Sequence, residues 1–223
     1  MNAFGWLFSF GLIASSGSVI NFDNATVGKT PPGWTVPATG RGTAVRWEVR
    51  KDPSAPTQPY VLAPVEGDSK GAGDSKEPAV SLAILNTMTV RDGDISVRLK
   101  PVTGRDDEGG GLVFRYRDER NYYLVRADAR RHEVTVYKVE NNRPMPILPR
   151  GAPASTFGVK HDIEPNTWSI LKVSVRGSRF QVYVNHHRIL QAEDSSLSGP
   201  GKVGLSTAAG SVTYFDDFRV YKK

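Results

Sequence analysis

The sequence predicts an all-β fold, a two-sheet antiparallel β-sandwich, on three observations. Short runs of alternating apolar and polar residues recur along the chain. Turn-forming residues separate them at short spacing, and no amphipathic helical repeat appears beyond a single turn near Asp194–Ser198. With 22 Gly and 15 Pro among 223 residues, the chain has enough turn formers for many reversals, and its length suits one domain.

The strand candidates, in order, are Ala44–Arg50, Tyr60–Pro64, Ala79–Leu85, Asp94–Lys100, Leu112–Arg117, Tyr122–Asp128, Glu133–Val139, Trp168–Arg176, Arg179–Asn185, Arg188–Gln191, Lys202–Thr207 and Thr213–Tyr221. The most informative stretch is Gly109–Asp128. Gly109–Gly111 permit a tight entry, and Asp118–Asn121 has turn chemistry between two alternating runs. In the second run Tyr123, Val125 and Ala127 share an apolar face, and Tyr122, Leu124 and Arg126 share the other. Further on, Val173 and Val175 face in while Lys172, Ser174 and Arg176 face out. Gly177-Ser178 turns the chain, and Phe180, Val182 and Val184 return inward before a tight turn at Asn185–His187. Trp34, Trp47 and Trp168 flank strands and are expected in core or edge packing.

At the N-terminus, Ala3–Ala14 is an apolar run followed by small residues at Ser15–Ser18. It is too short for a membrane span and suits a secretory signal, although no Lys or Arg precedes it. Residues 1–18 are therefore read as a signal segment and 19–223 as one domain, secreted or periplasmic, with no stable membrane span after cleavage. A hydrophobic first strand is the competing reading. The breaks at Pro31-Pro32, Pro53–Pro59 and Gly67–Ser75 read as loops, not linkers.

The formal charge is +6, which favours acidic partners such as uronic-acid or sulfated glycans, though a basic protein can be merely soluble. There is no cysteine, which excludes disulfides, thiol catalysis and Cys-based metal sites. Nucleic acid is not an expected partner, because no RNP, KH or recognition-helix motif is present. Asn24-Ala-Thr is a glycosylation sequon.

Several segments in order resemble a family of secreted bacterial concanavalin A-like jelly-roll domains, the 3-keto-disaccharide hydrolase family. They are Phe22-Asp23 with Pro32–Trp34, Trp47–Val49 with Asp52-Pro53, Gly110–Arg115, Asn121–Tyr123, Val136–Val139 with Asn141–Arg143, Trp168, Phe180–Asn185, Gly201–Leu205 and Tyr214–Val220. The resemblance covers about residues 20–221 and implies a jelly roll, distantly similar to laminin-G-like domains and family-16 glucanases. It also implies a carbohydrate-associated role. This chain departs from the family at Ala129–His132, whose turn is more basic.

The candidate chemistry follows. Glycoside hydrolysis usually needs two carboxyl groups at a set separation, and the family-16 pattern E-x-D-x-E is absent. The adjacent acids Asp216-Asp217 should point to opposite faces. Strand parity places Arg98, Arg115, Arg117, Tyr122, Arg126, Asp128, Glu133 and Tyr137 on outward faces, where neighbouring strands would form a concave surface of arginines and tyrosines. Tyrosine rings stack on sugars and arginine pairs bidentately with carboxylate or sulfate, so this surface is the expected ligand site; the same pattern fits a solvated sheet. If the chain cleaves a 3-keto glycoside, one base suffices, and Asp128, Glu133 or His132 could supply it. The jelly-roll resemblance also implies a structural calcium between the first and last strands, with Asp23, Asp216 and Asp217 as ligands. The four histidines lack zinc-type spacing. A structural or cell-surface interaction domain is the third reading.

Overall fold

The alternation becomes two antiparallel sheets in the computed structural model, which describes residues 17–39, 45–65, 80–103, 109–208 and 210–223. In chain order the strands are β1 (Gly17–Ile20), β2 (Trp34–Thr35), β3 (Trp47–Lys51), β4 (Tyr60–Pro64), β5 (Val80–Val90), β6 (Gly93–Thr103), β7 (Gly109–Asp118) and β8 (Asn121–Asp128). They continue as β9 (Glu133–Glu140), β10 (Arg143–Ile147), β11 (Val159–Lys160), β12 (Ser169–Arg176), β13 (Arg179–Val184), β14 (His187–Glu193), β15 (Gly201–Ala208) and β16 (Val212–Lys222). Sheet A has the order β14-β13-β12-β6-β16-β4-β3, with β1 also paired to β16. Sheet B has the order β10-β9-β8-β7-β15-β5-β2, with β11 also paired to β9. No helix among the described residues is long and apolar enough to cross a membrane.

All twelve expected runs carry strands. The unexpected ones are β1, β2, β10 and β11, which are short or lie at sheet edges; β10 contains Pro144 and Pro146, which an edge tolerates because no ladder donor is lost. The 194–198 segment forms turns, not a helix. The apolar run at 3–14 lies outside the described residues, while Gly17 and Ser18, assigned to the signal segment, pair with Tyr221 and Val220.

Inward faces meet in one core. Trp47, Phe114, Tyr123, Phe180, Phe215 and Phe218 are buried there, with Phe114, Tyr123 and Phe180 packed at centroid separations of 4.9–5.2 Å. Each such side chain contributes about 1.5–3 kcal/mol by leaving water. Trp47 donates its indole N–H to Ser81 Oγ at 2.7 Å, so burial leaves no orphan donor. Asn185 and His186 take positive φ in the β13–β14 turn, as the expected tight hairpin requires.

The outward face of sheet B departs from a solvated sheet. Leu82, Ile84, Val113, Tyr116, Tyr122, Leu124 and Val139 form a second buried apolar cluster there. The alternation between faces holds, but both faces are closed to water over the sheet's middle, and polar chemistry is left to its ends.

Candidate functional site

At one end of that face the β8–β9 hairpin gathers a polar cluster. The 129–132 turn is held by Asp128, whose Oδ1 accepts the Arg131 N–H at 3.0 Å, and it closes through His132 at φ +48°. Asp128 therefore stands directly across from Glu133 on the adjacent strand, and Arg126 across from Thr135. Cross-strand neighbours have Cβ atoms about 4.5–5.5 Å apart, so the two carboxyl groups share one patch of surface. Arg126 Nη2 lies 3.3 Å from Asp128 Oδ2, and Arg131 Nε lies 3.6 Å from the same oxygen. Glu133 accepts from Thr135 Oγ1 at 3.1 Å and pairs with Lys160 Nζ at 3.3 Å. Burial lowers the Arg126 pKa, and the Asp128 charge offsets part of that.

Next to Arg126 on β7 is Gly111, and next to that on β15 is Ser206. A Cβ at 111 would sit 2.1 Å from the Val125 carbonyl oxygen and 2.9 Å from Ser206 Oγ. Glycine is required for packing there, and alongside it a small trough is lined by Gly109, Gly110, Leu124, Arg126, Ser206 and Ala208. The site is thus a guanidinium paired with one carboxylate, a second carboxylate across the strand pair, and hydroxyls and a trough beside them. Its donors and acceptors suit vicinal hydroxyl groups.

The expected ligand residues separate into three groups. Arg126, Asp128, Glu133 and Tyr137 share this outward face, with Tyr137 half-buried. Tyr122 is on it too, but 3% exposed in the apolar cluster, 5.9 Å from the Tyr116 ring, so it offers no open stacking platform. Burial raises the pKa of both phenols, Tyr116 to about 12. Arg98 belongs to the other sheet: β6 runs between β12 and β16, and Arg98 pairs there with Asp217 at 3.2 Å.

Arg115 is 1% exposed. Parity fails because β7 bulges: Arg115 has φ +48°, and its side chain turns into the end of the sandwich. There it donates to the carbonyls of Arg91, Gly177 and Leu197 at 2.6–3.2 Å, tying together three loops. Gly201 lets it sit so close, since a Cβ there would be 2.4 Å from the Arg115 carbonyl carbon. Arg117, after the bulge, is exposed at the strand's end.

Residues the sequence reading passed over are Arg131, Thr135, Lys160 and Ser206. Parity along β9 could have found Thr135, but Lys160 and Ser206 arrive through long-range pairing that no local pattern encodes.

The expected calcium ligands accept hydrogen bonds from the protein, Asp23 from the Tyr60 N–H at 3.4 Å. A bulge in β16 puts Asp217 at φ +49°, so Asp216 and Asp217 do not diverge as alternation requires: both meet Thr57. Asp216 accepts the Thr57 N–H at 2.8 Å and the Asp217 N–H at 2.7 Å; Asp217 accepts Thr57 Oγ1 at 3.0 Å and pairs with Arg98 and Arg219, each at 3.2 Å. Among the described residues no group of three or more acids and histidines is placed to hold a metal ion. Burial pushes the Asp216 carboxyl up to about 6, and the nearby charges of Asp217 and Asp23 add to the rise. His132 Nδ1 faces Asp162 at 3.3 Å in the basic turn.

No protein-family model matches the chain. Over 109 residues it is 32% identical to the levanase of Bacillus subtilis (strain 168), a stretch amounting to 47% of this chain and 15% of that enzyme. The chain thus spans a small part of the levanase's length. Among solved structures it is similar to the carbohydrate-binding module CBM66 from Bacillus subtilis (TM-score 0.59, 22% identity, 84% of this chain and 94% of that one). It is also similar to the Bacillus licheniformis β-glucanase (TM-score 0.57, 12% identity, 94% and 99%). The two solved structures establish the fold, a jelly-roll β-sandwich.

Proposed function

We propose that this chain is an exported carbohydrate-binding β-sandwich whose sugar site is the polar end of sheet B. The observation that carries the reading is the Arg126–Asp128–Glu133 cluster beside the trough over Gly109 and Gly110. Charged and neutral hydrogen-bonding groups gather there, and charge-assisted bonds are the strong ones. The levanase similarity and the module-like fold support a carbohydrate ligand. The net charge of +6 supports acidic sugars among the ligands, and the apolar run at 3–14 supports secretion or a periplasmic location.

The facing carboxylates favour a second reading, cleavage of a 3-keto glycoside as in the family the sequence resembles. Asp128 or Glu133 would take the proton from the carbon beside the ketone, and the glycosidic oxygen would leave by elimination.

The test is a glycan panel that includes levan, mixed-linkage β-glucan and 3-keto disaccharides, run on wild type, Glu133→Gln and Arg126→Gln. The proposal expects retained binding of at least one glycan by wild type and at least tenfold weaker binding by both variants. Absence of binding across the panel, or binding indifferent to both substitutions, contradicts it; turnover of a 3-keto disaccharide moves the assignment to the second reading.

A further inference from the structure

A second concave feature lies where the sheet edges meet. The chain leaving β10 reaches across to sheet A: Pro149 bridges Ala192 on β14, and the Arg150 N–H donates to the Gln191 carbonyl at 2.7 Å. Between this crossing and β11 opens a cleft of about 490 Å³ lined by Pro149, Arg150, Ala152, Val159, Arg188, Ile189, Leu190 and Gln191. Its size falls within the range of ligand sites. The floor is apolar, Val159 and Ile189 being half-buried against the main core. No Asp or Glu lines it. The nearest acid along β14, Glu193, faces Arg179 at 4.0 Å.

Arg150 and Arg188 are exposed, and neither side chain has a hydrogen bond or ion pair among the described residues. This contrasts with Arg98, Arg115, Arg176 and Arg219, each held by a carboxylate. Two unpaired guanidinium groups over an apolar floor fit an anion carried on a partly apolar body. Phe157, two residues before Val159 in sequence, is 55% exposed. A pyranose bearing carboxylate or sulfate has this combination of charge and apolar ring face. The cleft also adjoins the polar end of sheet B through β11, since Val159 lines the cleft while its neighbour Lys160 pairs with Glu133.

We infer that this seam cleft is a separate subsite for acidic sugars, with Arg150 and Arg188 holding carboxylate or sulfate groups. The inference rests on the carbohydrate-binding reading but uses different residues. It is tested by titrating polygalacturonate, dextran sulfate and uncharged dextran into wild type, the double variant Arg150→Gln/Arg188→Gln, and Arg143→Gln, which removes an exposed charge elsewhere. The expected result is at least tenfold weaker binding of one or both polyanions by the double variant. Arg143→Gln should stay within twofold of wild type, and Arg188→Lys should recover only part of the loss, because a point charge replaces a bidentate fork. Equal losses in the double variant and Arg143→Gln, or displacement by DNA as effective as by acidic glycan, would overturn it in favour of bulk charge attraction. Neutral-glycan binding separates the two proposals: Arg150→Gln/Arg188→Gln should leave it unchanged, whereas Glu133→Gln should weaken it.

Discussion

The outward faces of the two sheets carry similar residue types and use them in opposite ways. On sheet A the charges form a paired, partly solvated lattice: Asp94 with Arg176 at 2.8 Å, Asp217 with Arg98 and Arg219, and Lys172 over the Tyr183 ring at 4.1 Å. On sheet B the middle is apolar and buried, and polar groups collect at the β8–β9 end. The charges at the sheet B end are paired as well, Arg126 with Asp128 and Glu133 with Lys160, so pairing alone does not separate the faces. A polar patch beside a closed apolar surface has donors and acceptors concentrated in one place, and for that reason the site is assigned to sheet B.

The contrast can be broken by mutation. The largest effect is expected at Arg115, whose removal strands three loop carbonyls; Arg115→Ala should cost about 3–5 kcal/mol in denaturant unfolding, whereas exposed Arg117→Ala should stay within about 0.5 kcal/mol. Tyr122→Ala should cost about 3 kcal/mol or more because it hollows the sheet B cluster, while Lys172→Ala on sheet A should cost below about 1 kcal/mol. If these two cost the same, the outer cluster of sheet B is not a second core.

The pH dependence sharpens the contrast within sheet A. Asp216 is fully buried and its pKa of about 6 lies above the ordinary 3.8, so the fold disfavours its ionised form. Stability should therefore rise as pH falls from about 6 to 3.8, by an amount on the order of 3 kcal/mol. Burial would also raise Asp52 and Asp94, but their bonds to Lys100 and Ser54, and to Ser174 and Arg176, outweigh it and hold both below 3.8. Their contribution is lost as pH drops below that value. Urea midpoints measured from pH 3 to 7 should peak near pH 4, and Asp216→Asn should flatten the limb between 6 and 4. Arg176→Ala should likewise cost below about 1 kcal/mol, shrinking with salt, because its pair with Asp94 is about one-third exposed on both sides.

How far the sequence could be read follows from the range of each signal. Alternation is local, so the core faces of Tyr123, Val125 and Ala127, or of Phe180, Val182 and Val184, were legible outright. Arg115 and Asp217 were misjudged for one shared reason: a bulge shifts parity by a residue, and nothing in the composition of Phe114–Arg117 or Asp216–Phe218 announces it. Arg98 was misplaced because strand order is non-local; its own face was right and its sheet was wrong. Tyr122 was on the expected face, but the burial of that face depends on tertiary covering that periodicity does not carry. The expected residues that do share one face, Arg126, Asp128, Glu133 and Tyr137, come from one hairpin, where local pattern and register coincide.

The most direct test of the sheet B assignment is amide chemical-shift mapping of the folded chain with the tightest ligand from the glycan panel. The account predicts the largest perturbations at Gly111, Arg126, Asp128, Glu133, Thr135 and Ser206, with the face of sheet A around Lys172 and Arg176 unmoved. Perturbations centred on sheet A, with the β8–β9 end silent, would contradict it.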